Sequence, residues 1–179
     1  MSTTTRGATE SRLALAPSFG SIAEAIRARM EAMAVPSPFV PGKTRIPLNV
    51  PSYGAPEVIE ALDSLMSGWV TMGAKVKAFE SLWSRYIGTD HGVMTNSGSS
   101  ANLLALSALM SRGLRPGDEI VTPALTWATT VFPIAQVGCV PVLVDVDLET
   151  YNISPGAIEA AITPRTKAIM LVHLLGNPC

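Results

Sequence analysis

From His91 onward, short apolar runs alternate with stretches of helical character, and that rhythm restricts the possible fold more than any other feature of the chain. The runs are HGVMT (91–95), EIVTP (119–123), VPVLVDV (140–146) and KAIMLVH (167–173), with candidate helices at 100–112, near 127–137 and at 155–162. A strand with one face in water alternates apolar with polar residues, whereas a near-continuously apolar run is covered on both faces. Alternating β and α elements of these lengths predict an α/β fold: a mostly parallel sheet with helices on both faces.

Ahead of this region the chain reads differently. Residues 1–20 are rich in Ser and Thr without apolar periodicity and are expected to form a disordered tail. Ser21 is a candidate N-cap for a helix over 22–34, where Ile22, Ile26, Met30 and Met33 share one stripe. That pattern reads as a packing or dimer-contact helix. Prolines 36, 38, 41, 47, 51 and 56 forbid a continuous helix across 35–56 and predict an extended arm. The expected organisation is therefore a tail (1–20), a helix with a proline-rich arm (21–54), and an α/β part (55–179). Within the last part, Pro56 suits the first turn of a helix running to Ser67 and closed by Gly68. A second helix follows over 74–87, closed by Gly88.

The 13 basic and 14 acidic residues are interspersed, so nothing points to nucleic acid or an anionic membrane surface as a partner. Cys139, Cys179, His91 and His173 supply neither a disulfide framework nor a metal site. No apolar run approaches the roughly 20 residues that span a bilayer, and the N-terminus carries no signal-peptide stretch. The expected compartment is the cytoplasm. Only 15% of residues are charged and mean hydropathy is +0.32, values that suit a large hidden interface or a piece of a larger core. The last apolar run is followed by no covering helix, so the chain is expected to be a fragment.

Two places could carry chemistry. Asn96-Ser97-Gly98-Ser99-Ser100 joins a candidate strand to the helix ANLLALSALM (101–110). Small residues there leave backbone N–H groups at the positive end of the helix dipole, which makes an anion site. An ordinary capping turn, with Ser99 or Ser100 as the cap, explains the same residues, and the loop alone leaves both readings open. No GxxxxGK, GxGxxG or GxSxG motif is present. Trp127 is the second place. It follows the 119–123 run at the start of the next helix, on the sheet edge where ligands of parallel sheets bind, and its ring can stack on a planar group. Core packing is the plainer explanation of such a Trp. His173 reads as a satisfied, half-buried histidine, and Asn177 is not assigned to the site.

Several linked segments, SGWVTMGAKVKAFE (67–80), NSGSSANLLAL (96–106) and the stretch from VTPALTWATT to PRTKAI (121–169), resemble the DegT/DnrJ/EryC1/StrS family. The resemblance covers about residues 45–178. It implies the large domain of a type I, aspartate-aminotransferase-like enzyme dependent on pyridoxal 5′-phosphate (PLP), here incomplete. It places the PLP phosphate on the backbone at Gly98 and Ser99 and the pyridine ring against Trp127, and it gives Asp145-Val146-Asp147 a structural role. It further implies a nucleotide-linked keto sugar as substrate, an amino donor, a homodimer, and a place in cell-surface polysaccharide or antibiotic-sugar synthesis.

The residue that would bond covalently to PLP is not among those expected at the site. Lys43 lies in the arm, Lys75 and Lys77 begin a helix ahead of the sheet, and Lys167 begins the last strand at the far end. No catalytic residue is therefore assigned within the chain. Aminotransfer is the leading activity that the resemblance implies. The alternative is the family's 4-keto-6-deoxy-sugar 3-dehydratase branch, toward which the arm, NSGSSANLLALSAL and HLLGNP (173–178) lean. A different class of role, a non-catalytic fragment or interaction module, would also suit the apolar balance.

Overall fold

The computed structural model describes residues 18–34, 38–47 and 50–179, and the chain divides into two compact units, 1–75 and 76–179. The expected tail falls outside the described residues but for its last three positions, and so does Pro36 of the arm.

In the first unit, helix α1 (Phe19–Met33) packs on helix α2 (Ala55–Met66). The cap of α1 is Ser18 and not the expected Ser21: the Ser18 hydroxyl accepts the Ser21 N–H at 3.3 Å. Ser21 thus occupies the first turn, where its own hydroxyl donates back to the Ser18 carbonyl. Ile22, Ile26 and Met30 are half-buried, while Met33 is exposed. The arm is not extended throughout. It turns at Val40–Thr44, where Gly42 takes φ 75° and the Thr44 N–H reaches the Val40 carbonyl. Helix α2 begins with Pro56 in its first turn and a Glu57 carboxylate accepting the Gly54 N–H at 2.7 Å. Helix α3 (Ala74–Ile87), all but its first two residues in the second unit, has the expected bounds.

The second unit holds a three-stranded parallel sheet in the order β2-β1-β3, formed by β1 (Glu119–Pro123), β2 (Val140–Val144) and β3 (Thr166–Ile169). Helices α4 (Gly98–Ser111) and α5 (Ala128–Gln136) serve one face and α6 (Pro155–Ala161) the other. All of β1 is buried, and its side chains alternate between two cores. Ile120 joins Leu106, Leu114, Ile134 and Cys139; Val121 joins Val144 and Ile153. Covering on both faces is what the apolar runs require. Proline is tolerated in β2 because Val140 bonds to β1 through the Asp118 carbonyl, so Pro141 turns its missing donor to the free edge.

Three expected strands differ, the 140–146 run in that β2 ends at Val144 and Val146 makes only an isolated bridge to Ile153. HGVMT forms no strand: among the described residues nothing pairs with it, and the Met94 N–H is taken by the Glu80 carboxylate at 2.8 Å. Gly92 lies so close that an added Cβ would stand 2.9 Å from the Glu80 carbonyl oxygen. The last strand also ends early. The Met170 N–H still reaches the Val121 carbonyl, but the return bond would come from the N–H that Pro123 lacks. Beyond it a short 3-10 turn (Leu174–Gly176) follows, with Leu175 at φ 53°. Among the described residues, no helix is long and apolar enough to cross a membrane, and no cluster of His, Cys, Asp or Glu could hold a metal ion.

Candidate cofactor site

Ser97, not Ser99 or Ser100, caps α4. Its backbone is extended (φ −163°, ψ 160°), and its hydroxyl accepts the Ser100 N–H at 3.2 Å. Ala101 makes the first bond along the helix, to the Ser97 carbonyl at 3.0 Å. The N–H groups of Gly98 and Ser99 are left as free donors among the described residues. An added Cβ at Gly98 would meet nothing within 4 Å, so no other element is packed against that side of the turn. The first turn of α4 carries no acidic residue. Capping and anion binding are therefore compatible here, because one hydroxyl satisfies the third donor and leaves the first two.

Trp127 is the N-cap residue of α5, four residues beyond the end of β1, and 77% exposed. It is not packed in the core; its indole is available to a ligand. The backbone beneath it is fixed: the Thr130 N–H donates to the Trp127 carbonyl at 2.9 Å, and the Thr126 hydroxyl donates to that of Thr130 at 2.8 Å. The two expected sites are brought together by a residue the sequence reading passed over. Asn102, one turn into α4, donates through Nδ2 to the Thr129 carbonyl in the first turn of α5 at 3.0 Å. The beginnings of the two helices are thereby side by side, with a pair of free donors on one and an exposed indole on the other. Such a pair can take a ligand that carries an anion and a flat ring.

The other residues weighed from the sequence are engaged elsewhere. His173 is exposed, and its Nδ1 accepts the Cys179 N–H at 3.0 Å. The Asn177 amide donates to the Thr150 carbonyl at 3.0 Å. Asp145 accepts the Val146 N–H, and Asp147 accepts donors from Glu149 and Thr150, both within the turn after β2. Lys75 pairs with Glu60 and Asp63, which raise its pKa, the Asp63 hydrogen bond most. Lys167 donates to the Pro164 carbonyl at the N-terminal end of β3.

Residues 52–179 match the DegT/DnrJ/EryC1/StrS aminotransferase family. The chain is 48% identical over 147 residues to the lipopolysaccharide biosynthesis protein RfbH of Salmonella typhimurium, covering 79% of this chain and 34% of RfbH. It is 44% identical over 145 residues to a dTDP-4-dehydro-2,6-dideoxy-D-glucose 3-dehydratase of Saccharopolyspora spinosa, covering 78% and 31% respectively. Among solved structures, an E. coli GDP-4-keto-6-deoxy-D-mannose-3-dehydratase with bound hydrated PLP superposes with a TM-score of 0.71 at 39% identity, over 75% of this chain and 36% of that one. The chain thus spans about a third of the length of these curated relatives. With its parallel sheet and the match over most of its length, it belongs to the DegT/DnrJ/EryC1/StrS aminotransferase family.

Proposed function

We propose that the chain carries the phosphate- and ring-binding part of a PLP-dependent aminotransferase that moves an amino group onto a nucleotide-linked keto sugar. The observation that carries this reading is the pairing of the free Gly98 and Ser99 donors with the exposed Trp127 on adjacent helix ends. Gly98 and Ser99 would hold the phosphate through charge-assisted hydrogen bonds, and Trp127 would lie against the pyridine ring. PLP, when bound, supplies an electron sink for bond breaking at an amine-bearing carbon. The chain's own contribution is to anchor and orient the cofactor. The group that bonds to the PLP aldehyde is not among its lysines. A nucleotide-linked substrate suits the cytoplasm, and a homodimer suits the aromatic residues exposed on α3.

A second reading, sugar 3-dehydration, is favoured by the 44% identity to a 3-dehydratase and by the superposition on another. Product analysis separates the two: aminotransfer exchanges a keto oxygen for an amino group, whereas dehydration removes the C3 hydroxyl.

Cofactor binding tests both readings together. Gly98→Pro removes one donor while keeping the cap, since proline suits the first helical position and Ser97 already has the extended backbone that a following proline demands. PLP should quench Trp127 fluorescence in the wild-type chain. Gly98→Pro should weaken binding about tenfold or more, the value of a hydrogen bond to a charged group, without lowering the melting temperature. A variant that binds PLP as tightly as the wild type would remove the assignment of Gly98.

A further inference from the structure

Helix α5 contains Pro133. In an α-helix the carbonyl of residue i accepts the N–H of residue i+4, and proline has none. The Thr129 carbonyl is therefore left without a donor from its own helix, and Asn102 of α4 supplies one, Nδ2 to oxygen, at 3.0 Å. Only the NH2 side of an amide can donate to a carbonyl, so the orientation of the Asn102 side chain follows from its partner. Asn102 lies four residues after Gly98, and Thr129 two residues after Trp127, so the bond joins the second turn of α4 to the first turn of α5. The Thr126–Thr130 hydroxyl bond braces the same turn of α5.

We propose that Asn102 is a positioning residue of the cofactor site, a proposal that rests on the PLP reading. It sets the distance between the phosphate donors at Gly98 and Ser99 and the ring platform at Trp127. A ligand that joins a phosphate to a planar ring must engage both at once and is sensitive to that distance. Inorganic phosphate engages only the α4 end and is indifferent to it.

The test compares PLP and inorganic phosphate binding by equilibrium dialysis. It uses the wild-type chain, Asn102→Leu, Pro133→Ala, the two combined, and Asn102→Leu in a Trp127→Ala background. Asn102→Leu should weaken PLP about tenfold, the factor one part-buried hydrogen bond is worth, and leave inorganic phosphate nearly unchanged. Pro133→Ala gives the Thr129 carbonyl a donor from its own helix. Combined with Asn102→Leu it should recover the melting temperature but not the PLP affinity. In the Trp127→Ala background, Asn102→Leu should cost no further PLP affinity. Recovery of both melting temperature and affinity by Pro133→Ala would reduce Asn102 to satisfying a stray carbonyl and overturn the proposal. A parallel loss of phosphate and PLP binding would overturn it too. A wild-type chain that binds no PLP overturns the cofactor reading and this proposal with it; wild-type binding with an indifferent Asn102 overturns this proposal alone.

Discussion

At Asp147 one carboxylate oxygen gathers three donors: the Thr150 N–H at 2.9 Å, the Thr150 hydroxyl at 3.0 Å and the Glu149 N–H at 3.0 Å. Hydrogen bonds to the ionised form favour it, so these contacts, with the Thr150 N–H foremost, hold the carboxyl below its ordinary pKa. The turn they close lets Tyr151 take φ 57°, and Asn152 and Ile153 beyond it enter the protein interior. Because the folded pKa is the depressed one, the stabilisation is complete above the unfolded value of about 3.9 and is lost as pH falls through the folded value. Titration of the Asp147 carboxyl by NMR should give a midpoint below about 3.9, and Thr150→Val, which removes only the hydroxyl donor, should raise it part of the way back. A wild-type midpoint at the ordinary value would refute this account of the turn.

At the scale of elements, β3 is fastened to β1 at its start by a buried charge. Glu119 is 4% exposed; its two carboxylate oxygens meet the Arg165 guanidinium and the Thr163 hydroxyl, and its N–H donates to the Arg165 carbonyl. Arg165→Ala would leave the carboxylate buried with one partner fewer, and should cost on the order of 1–3 kcal/mol in urea unfolding. Paired removal of charge, Glu119→Gln with Arg165→Ala, should cost less than the single change. Equal stability of Arg165→Ala and wild type would show that the fastening adds nothing. The same scale shows what the sequence could convey. β1, α3 and α6 were legible nearly to the residue, because burial on both faces, glycine stops and a proline start are local signals. HGVMT carried the same apolar signal, yet a strand exists only beside a partner, and residues 91–95 have none among the described residues. The early end of β3 is set by a proline on its neighbour, not by its own sequence. Gly98, Ser99 and Trp127 stood out by residue type and position. Asn102 did not, because its partner is 27 positions away. The one available clue was Pro133, which strips the Thr129 carbonyl of its donor.

For the whole molecule, the exposed aromatic surface has the most to explain. Phe79, Trp83 and Tyr86 share a stripe of α3, with ring centroids 6.1 Å and 5.7 Å apart, and are 48%, 50% and 81% exposed. Aromatic side chains packed side by side and left in water are a costly arrangement for a monomer, and contiguous apolar surface of this kind marks contact with another protein. The proposed homodimer would cover such a surface, and Trp and Tyr are the residues that dominate the energetics of interfaces. Sedimentation equilibrium should therefore show concentration-dependent self-association. Trp83→Ser should weaken it about tenfold or more while leaving the far-ultraviolet helical signal unchanged, since position 83 faces water in the single chain. A chain that sediments as a monomer at every concentration would remove the dimer from the proposal. Undiminished association of Trp83→Ser would instead move the contact from α3 to other exposed apolar residues, Phe132 on α5 and Leu143 on β2 among them.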